Sequence, residues 1–289
     1  MIFEGIFEGI FDRRRRRGIA NGAFVVLCTL ATLTALLILA AILASLVKNG
    51  AGGLNLAVFT LDTPAPGLPG GLRNAILGSL FLCVAAMAMA TMVGILAGTW
   101  LAEYSGRGRL AHLVRFANDV LLSAPSILVG LFVYQIAVGP LHGFSALAGA
   151  LALALLAVPI VAGTTEDVLR MQSRALRDSG MALGAPLSVT IRHILWKAAG
   201  GGVITGVLLA FARISGETAP LLFTALNNQF LSFAVLKPVA NLPVAIFNFA
   251  LSAYDDWRRL AWVGALLIAI AVLTTNIIVA ILVRADRRW

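Results

Sequence analysis

The sequence is poor in the residues that build metal sites, disulfide frameworks and charged surfaces. It has two cysteines, three histidines and 12% charged residues in a chain of 289. Cys28 and Cys83 stand singly inside apolar runs, and the histidines are scattered, so neither a disulfide framework nor a metal site follows from them. Soluble domains carry roughly 25% charged residues, so the shortage of charge also argues against a soluble protein.

A phosphate-binding loop for nucleoside triphosphates is also missing. No G-x-x-x-x-G-K-[ST] motif occurs, and the three lysines, at 48, 197 and 237, lie in other contexts. We therefore expect no cofactor in this chain, and any ATP that powers it must be hydrolysed by another subunit. The dispersed histidines also disfavour a membrane-embedded enzyme, which would need clustered His, Asp or Glu at membrane depth.

Apolar residues, in contrast, make up 60% of the chain and are arranged in long runs. A helix that crosses the hydrocarbon core needs roughly 20 mainly apolar residues. Six segments meet this requirement: 22–47, 73–102, 118–138, 146–168, 199–225 and 260–283. The sequence therefore predicts an all-α membrane protein with six transmembrane helices in one domain, residues 22–289.

Residues 1–21 form a separate amino-terminal segment, which we expect in the cytoplasm or on the membrane surface. Its "MIFEGIFEGIFD" repeats apolar pairs every four residues, which is typical of a short amphipathic helix. Gly5 and Gly9 weaken that helix, so a disordered tail is an equal alternative.

The basic residues predict the orientation of the spans. If the amino terminus is cytoplasmic, the segments on that side hold sixteen Lys and Arg, and the segments on the other side hold five. Cytoplasmic loops carry such an excess, so both termini are predicted in the cytoplasm. The net charge of +9 then reflects topology and attraction to lipid headgroups, not nucleic-acid binding.

One apolar stretch, "LLAFARISGETAPLLFTA" at 208–225, carries two opposite charges. Arg213 and Glu217 are one helical turn apart, so they can form an ion pair. Insertion of a charged residue at the centre of a spanning helix costs roughly 2.5 to 3.5 kcal/mol, whereas insertion of leucine is favourable. We interpret Arg213 as an anion-attracting group on a translocation path, Glu217 as the group that orients it, and Thr218 as a further hydroxyl. An ion pair that merely neutralises itself between packed helices is the alternative.

The segment "RDSGMALGAPLSVTIRHILWKAAGG", 177–201, is the second candidate site. Helical periodicity stops at Gly184, and Ala185 and Pro186 follow, because a residue before proline disfavours the α region. A second helical stretch begins after Pro186. A helix–turn–helix at the inner face suits docking onto another protein, although an ordinary loop between spans would have the same pattern.

This segment resembles the EAA loop of permeases from binding-protein-dependent ABC importers. Asp178, Ser179 and Gly180 occupy the Glu-Ala-Ala triplet, and Gly184 and Ile194 follow at the expected spacing. The replacements keep an acidic residue followed by small ones. We call residues 177–197 the coupling segment.

Four further stretches are similar to the A-type permease subunit of phosphate importers: "ARISGETAPLLFTALNNQF", "NDVLLSAPSILVGLFVY", "NLPVAIFNFA" and "WRRLAW". The resemblance implies a type I ABC importer permease fold and a non-catalytic subunit that forms half of a phosphate pathway. It also implies four partners: a homologous C-type permease, a dimer of ATPase subunits that binds ATP and Mg²⁺, an extracytoplasmic phosphate-binding protein, and the lipid of the bacterial inner membrane.

Two alternatives remain open at this point. Arg213 alone does not distinguish phosphate from other tetrahedral oxyanions, so a sulfate or molybdate importer fits the residues equally. A secondary anion transporter or channel belongs to another class, and it would show inverted repeats with paired broken helices or a ring of charges. The sequence contains one candidate broken helix and no clear internal duplication.

Overall fold

A computed structural model describes the backbone of residues 2–106 and 108–286, and side chains between residues 17 and 281 except 19 and 107. Within these residues the chain is helical and has no strand. Its helices are α1 (Ile2–Ala51), α2 (Leu56–Thr60), α3 (Arg73–Thr99), α4 (Arg109–Ser123), α5 (Ser126–Val133), α6 (Ala146–Met171), α7 (Arg174–Ala182), α8 (Leu187–Thr190), α9 (Trp196–Ile214), α10 (Ala219–Leu222), α11 (Leu242–Ala250) and α12 (Asp255–Asp286).

Three π-helical turns of five residues interrupt these helices. They are Trp100–Tyr104 at the end of α3, Tyr134–Val138 at the end of α5, and Ile191–Leu195 between α8 and α9. The last of them leaves α8 and α9 as one continuous rod, Leu187–Ile214. Such π-helical turns often mark functional positions in a helix.

The predicted all-α fold is confirmed, and six spans are found when one bent pair counts as a single span. Five stretches are long and apolar enough to cross a membrane: Ala20–Ala51, Arg73–Tyr104, Ala146–Met171, Leu187–Ile214 and Asp255–Ile281. The remaining span consists of two parts, α4 and the helix formed by α5 and its π-helical extension. The chain bends by 108° between these two parts.

That third span was expected as a continuous helix over 118–138, and this expectation is wrong. The helix begins earlier, at Arg109, and ends at Ser123. Pro125 disfavours a helical Ala124 and has no N–H to donate, so the hydrogen-bond ladder stops there. Asn118 and Asp119 lie inside α4, so they do not cap this span.

The fifth span was expected over 199–225, and both of its boundaries are wrong. It begins at Leu187, so the second half of the coupling segment is part of the spanning rod and not a separate helix. It ends at Ile214, and residues 215–218 have no helical structure. Pro220 does not bend this helix. It lies in the first turn of α10, where its missing N–H would have had no partner within the helix anyway.

The core is a close-packed group of α3, α6 and α9. Gly94 and Gly98 of α3 lie so near α6 that an added Cβ would come within 2.7 Å of Val161 and 2.5 Å of the Ala162 carbonyl. Gly202 and Gly206 of α9 approach α6 in the same way. Lipid tails are as apolar as leucine, so spanning helices associate through close packing of small residues rather than through burial from water.

The contacts between these helices also give their directions. Leu82 and Gly149 are in contact, and so are Gly94 and Val161, so α3 and α6 run parallel. Gly202 contacts Val168 and Gly206 contacts Thr164, so α9 runs antiparallel to α6. These directions agree with alternate spans crossing the membrane in opposite senses.

The first span lies at the periphery. Near its end, Gly50 and Gly53 contact Leu266 and Val263 of α12, which runs antiparallel to it. The backbone of the amino-terminal segment is helical from Ile2 and continuous with the span. The side chains of its "IFEG" repeat lie outside the described residues, so its placement on the membrane surface stays a prediction.

The long segment between α10 and α12 contains one short apolar helix, α11, and is otherwise irregular in the described structure. Buried asparagines fix the segment. The amide of Asn74 donates to the carbonyls of Asn228 and Gln229, and the amide of Asn241 donates to the Leu226 carbonyl and caps α11. The amides of Asn74 and Asn241 are thereby satisfied, and the carbonyls of the irregular backbone that they contact are satisfied with them.

Candidate functional site

The break in the third span and the end of the fifth lie at the same level of the helix bundle. Arg115 of α4 pairs with Glu166 of α6, and Asn118 lies beside Gly163, so α4 runs antiparallel to α6. If the pairing of α4 with α6 continues along both helices, the end of α4 lies level with Val158. The pairing of α9 with α6 in the same way places the end of α9 level with Leu156. Both breaks therefore lie half-way along α6.

The short helices that follow the two breaks pack on each other. Gly130 of α5 faces Pro220 of α10 so closely that a Cβ on Gly130 would lie 2.6 Å from the Cα of Pro220. In contrast, a Cβ on Gly216 would meet only the Ile268 side chain, at 3.9 Å. Gly130, and not Gly216, therefore admits a neighbouring backbone. Interrupted helices that meet at mid-depth are a recurring way to form a substrate site in a transporter.

Arg213 lies in the last turn of α9, at the edge of the break. The predicted ion pair is present: Nη1 of Arg213 donates to Oε1 of Glu217. Glu217 is no longer part of the helix, but its N–H donates to the Ile214 carbonyl, which holds it one turn beyond Arg213. The break therefore preserves the spacing that a continuous helix would have provided.

The two members of this pair have different exposure. The Glu217 side chain is 9% exposed and the Arg213 side chain is 57% exposed. A guanidinium carries five N–H donors, and among the described residues this one uses a single donor on a side chain. Its free donors can form the parallel hydrogen bonds that a tetrahedral oxyanion accepts. Thr218 stands next to Glu217 and is half-buried, and its carbonyl accepts from the Leu222 N–H.

The coupling segment begins in α7 and ends its first helix at Gly184. Gly184 has φ of +76°, and the N–H of Ala185 donates to the Gly180 carbonyl across this turn. This arrangement closes a helix with a left-handed residue, and glycine adopts that conformation without steric cost. The predicted helix end at Gly184, Ala185 and Pro186 is confirmed.

The two halves of the coupling segment are in direct contact at Gly180. A Cβ on this residue would lie 2.6 Å from the Thr190 side chain, which explains a glycine where the EAA pattern has alanine. Asp178 and Ser179 are exposed on the same helix, and so is Leu183 at the turn. The coupling segment thus exposes an acidic side chain and an apolar side chain on its surface.

Sequence reasoning missed a charged cluster at the inner end of the bundle. Glu166 is 9% exposed and pairs with Arg115 at 2.8 Å and with Arg170 at 2.8 Å. Glu103 is 4% exposed and pairs with Arg177. The four-residue spacing of Glu166 and Arg170 was a signal for one of these pairs. The others join residues that are distant in sequence.

Comparison with known proteins adds the family. Residues 91–288 match the family of binding-protein-dependent transport system inner membrane components. The phosphate transport system permease protein PstA of Haemophilus influenzae is 52% identical over 236 residues, which cover 82% of this chain and 84% of that protein. The PstA protein of Yersinia pestis is 52% identical over 242 residues, which cover 83% of this chain and 82% of that protein.

Solved structures are similar in fold. The chain resembles a subunit from inward-facing structures of the MetNI methionine ABC transporter, with a TM-score of 0.62 and 16% identity. The match covers 74% of this chain and 95% of that one. At this identity the likeness concerns the fold alone. It agrees with the predicted type I importer permease fold.

Proposed function

This chain belongs to the family of binding-protein-dependent transport system inner membrane components, and we propose that it forms half of the phosphate pathway of an ATP-driven importer, with Arg213 as the group that attracts the anion. It is a multi-pass protein of the inner membrane and a transport component, not an enzyme in its own right. Its PstA relatives, at 52% identity, carry the assignment to phosphate rather than sulfate or molybdate.

The observation that supports the role of Arg213 is its placement. A half-exposed guanidinium with unused donors lies half-way along α6, where the break in the third span meets the end of the fifth. Exposure of a charged side chain to lipid is unfavourable even when it is paired, so the exposed part of Arg213 must face a polar cavity or another subunit. A buried Glu217 holds it in place and lowers the net positive charge, so that an anion binds weakly enough to leave again.

The coupling segment supports the second half of the proposal. Asp178, Ser179 and Gly180 with the turn at Gly184, Ala185 and Pro186 dock onto one subunit of an ATPase dimer, which binds the ATP and Mg²⁺. A homologous C-type permease forms the other half of the pathway, and an extracytoplasmic binding protein delivers phosphate. Closure of the ATPase dimer draws the two coupling segments together, and the spans open outward to accept the anion.

The test is uptake of labelled phosphate in cells whose only high-affinity importer contains this chain, with sulfate and molybdate as competitors. Arg213→Gln removes the charge and keeps a side chain of similar length. A charge-assisted hydrogen bond is worth about 1.5 to 3 kcal/mol, so uptake should fall roughly ten- to a hundredfold while the complex still assembles.

The matched control is Arg258→Gln. Arg258 is also about half exposed and is paired with a carboxylate three residues away, Asp255, but it lies at the start of α12. Its loss should leave uptake near normal. Unchanged uptake in an assembled Arg213→Gln complex would show that Arg213 and Glu217 merely neutralise each other, and competition by sulfate or molybdate would reassign the substrate.

A further inference from the structure

The last turn of the second span receives polar contacts from four other parts of the chain. It comprises Thr99 and the π-helical residues Trp100–Tyr104, and we call it the receiving turn. Trp196 of α9 donates its Nε1 to the Thr99 hydroxyl at 3.1 Å. Arg115 and Arg170 donate to the Leu101 carbonyl at 3.2 and 3.4 Å, and the Ser105 hydroxyl donates to the same oxygen.

The π-helical geometry accounts for the availability of that carbonyl. A π-helical turn moves each hydrogen bond one residue further along, as the bond from Ser105 N–H to the Trp100 carbonyl shows. The Leu101 carbonyl instead accepts hydrogen bonds from side chains of α4 and α6. The receiving turn is therefore connected to both of these helices at the inner end of the bundle.

The contact with the coupling segment is the strongest of the four. Nε and Nη2 of Arg177 donate to the two oxygens of Glu103 at 3.0 and 2.6 Å. The same guanidinium donates to the carbonyls of Gln172 at 2.6 Å and Leu169 at 2.7 Å, so it also closes the end of α6. Arg177 directly precedes Asp178, the first residue of the triplet that we place on the ATPase.

The burial of Glu103 and Arg177 distinguishes their ion pair from an ordinary pair on the protein surface. The Glu103 side chain is 4% exposed and the Arg177 side chain is 19% exposed. A buried bidentate pair fixes both position and orientation, and removal of one partner leaves the other charge buried and unpaired. Movement of α7 must therefore displace the receiving turn or break this pair.

We propose that the Glu103–Arg177 pair is a positioning link, which transmits the movement of the coupling segment to α3 and α6 and keeps ATP hydrolysis tied to transport. The proposal rests on the proposed function, because it requires an ATPase that moves α7. Glu103 and Arg177 touch neither the anion nor ATP. Their effect is on how much phosphate is moved for each ATP hydrolysed.

The experiment measures ATP hydrolysis and accumulation of labelled inorganic phosphate in the same proteoliposomes, which contain the complete importer and its binding protein. Glu103→Gln, Arg177→Gln and the double variant are compared with the unchanged complex. Variants in a coupling network change coupling by about 0.5 to 2 kcal/mol, so we expect a two- to thirtyfold drop in phosphate moved per ATP. The double variant should be no worse than the single variants, because each already breaks the link.

The control is a second bidentate pair at the opposite end of the same helix. Arg73, the first residue of α3, donates from Nε and Nη2 to both oxygens of Asp62 at 2.9 and 3.0 Å. Asp62→Asn removes a pair of the same bidentate geometry, although a more exposed one, and should leave phosphate moved per ATP unchanged, even if thermal stability falls.

The outcomes separate the two proposals. An unchanged complex that neither imports phosphate nor hydrolyses ATP in response to it would overturn the proposed function. A coupled complex in which Glu103→Gln keeps the full ratio, or in which Asp62→Asn lowers it equally, would overturn the positioning link.

Discussion

Arg213 and Arg177 each form an ion pair with a carboxylate that is less than a tenth exposed, yet their other donors are used differently. Arg177 donates to both oxygens of Glu103 and to the end of α6, and most of it is buried. Arg213 donates to a single oxygen, and more than half of its side chain is exposed. An arginine whose donors are used holds elements together, whereas one with free donors can bind something else.

The position along the bundle agrees with this division. The Arg177 pair lies at the inner end, where helices of the coupling segment meet the spans. The Arg213 pair lies at the level of two helix breaks, where irregular backbone is tolerated only inside protein or next to a water-filled cavity. An arginine and a glutamate thus connect helices beside the coupling segment, whereas at the helix breaks the same two residue types form a candidate binding group.

After Arg213→Gln, the largest expected effect on this site comes from Glu217→Gln. Glutamine keeps the shape and one acceptor for Arg213 but removes the negative charge, so the anion should bind more tightly and leave more slowly. We expect maximal uptake to fall about tenfold, with a lower apparent KM for phosphate. Asp255→Asn, which unpairs an exposed arginine on α12, is the control. A raised KM in Glu217→Gln would contradict this role.

The close approach at Gly130 can be tested next. A Cβ at Gly130 would collide with the backbone of Pro220, whereas a Cβ at Gly216 would make an ordinary contact. Gly130→Ala should therefore destabilise the protein by about 1 to 3 kcal/mol, and Gly216→Ala should be tolerated. Thermal unfolding in detergent, together with uptake, gives the comparison. Equal stability of the two variants would show that α5 and α10 do not need this contact.

A smaller effect is expected from Asp178→Lys at the inner end. Asp178 is exposed, so its contribution to ATPase docking should resemble that of a surface charge, about 1 kcal/mol or roughly a fivefold loss of association. Pull-down of the ATPase measures it, with Asp256→Lys, an exposed acid at the start of α12, as the control. Normal association would remove Asp178 from the docking surface.

The smallest effect is a pH dependence at Asp62. The hydrogen bond from Arg73 lowers the pKa of the Asp62 carboxyl below its ordinary value. A lowered pKa stabilises the folded protein above the unfolded pKa of about 4, and this contribution is lost as the pH falls through the folded pKa. The melting temperature should therefore differ between the unchanged chain and Asp62→Asn near neutral pH, and the difference should shrink below about pH 4. A constant difference would contradict the assignment.

Several features of the fold could be predicted because they depend on local chemistry. Long apolar runs identify spans whatever their packing, and Gly184 before Ala185 and Pro186 ends a helix in almost any context. The pairing of Arg213 with Glu217 followed from a four-residue spacing. That spacing survived even though the helix ends at Ile214, because the Glu217 N–H still returns to the Ile214 carbonyl.

Other features were missed because they depend on residues far apart in the chain. The break at Pro125 was hidden inside an apolar run that was long enough to cross the membrane. Nothing in the sequence links Glu103 to Arg177, or Arg115 to Glu166, across 74 and 51 residues. Gly130 and Gly216 look alike in sequence, and only the approach of Pro220 distinguishes them.

The sequence by itself determined that this is an all-helical membrane protein, which residues carry charge inside its spans, and where the coupling segment turns. Composition and short-range spacing are sufficient for these features, since lipid requires every backbone group to be satisfied within a helix. The tertiary structure decided which charges are free and which are used. That depends on the packing of α3, α6 and α9 through small residues, which brings distant side chains together and places the break in the third span level with the end of the fifth.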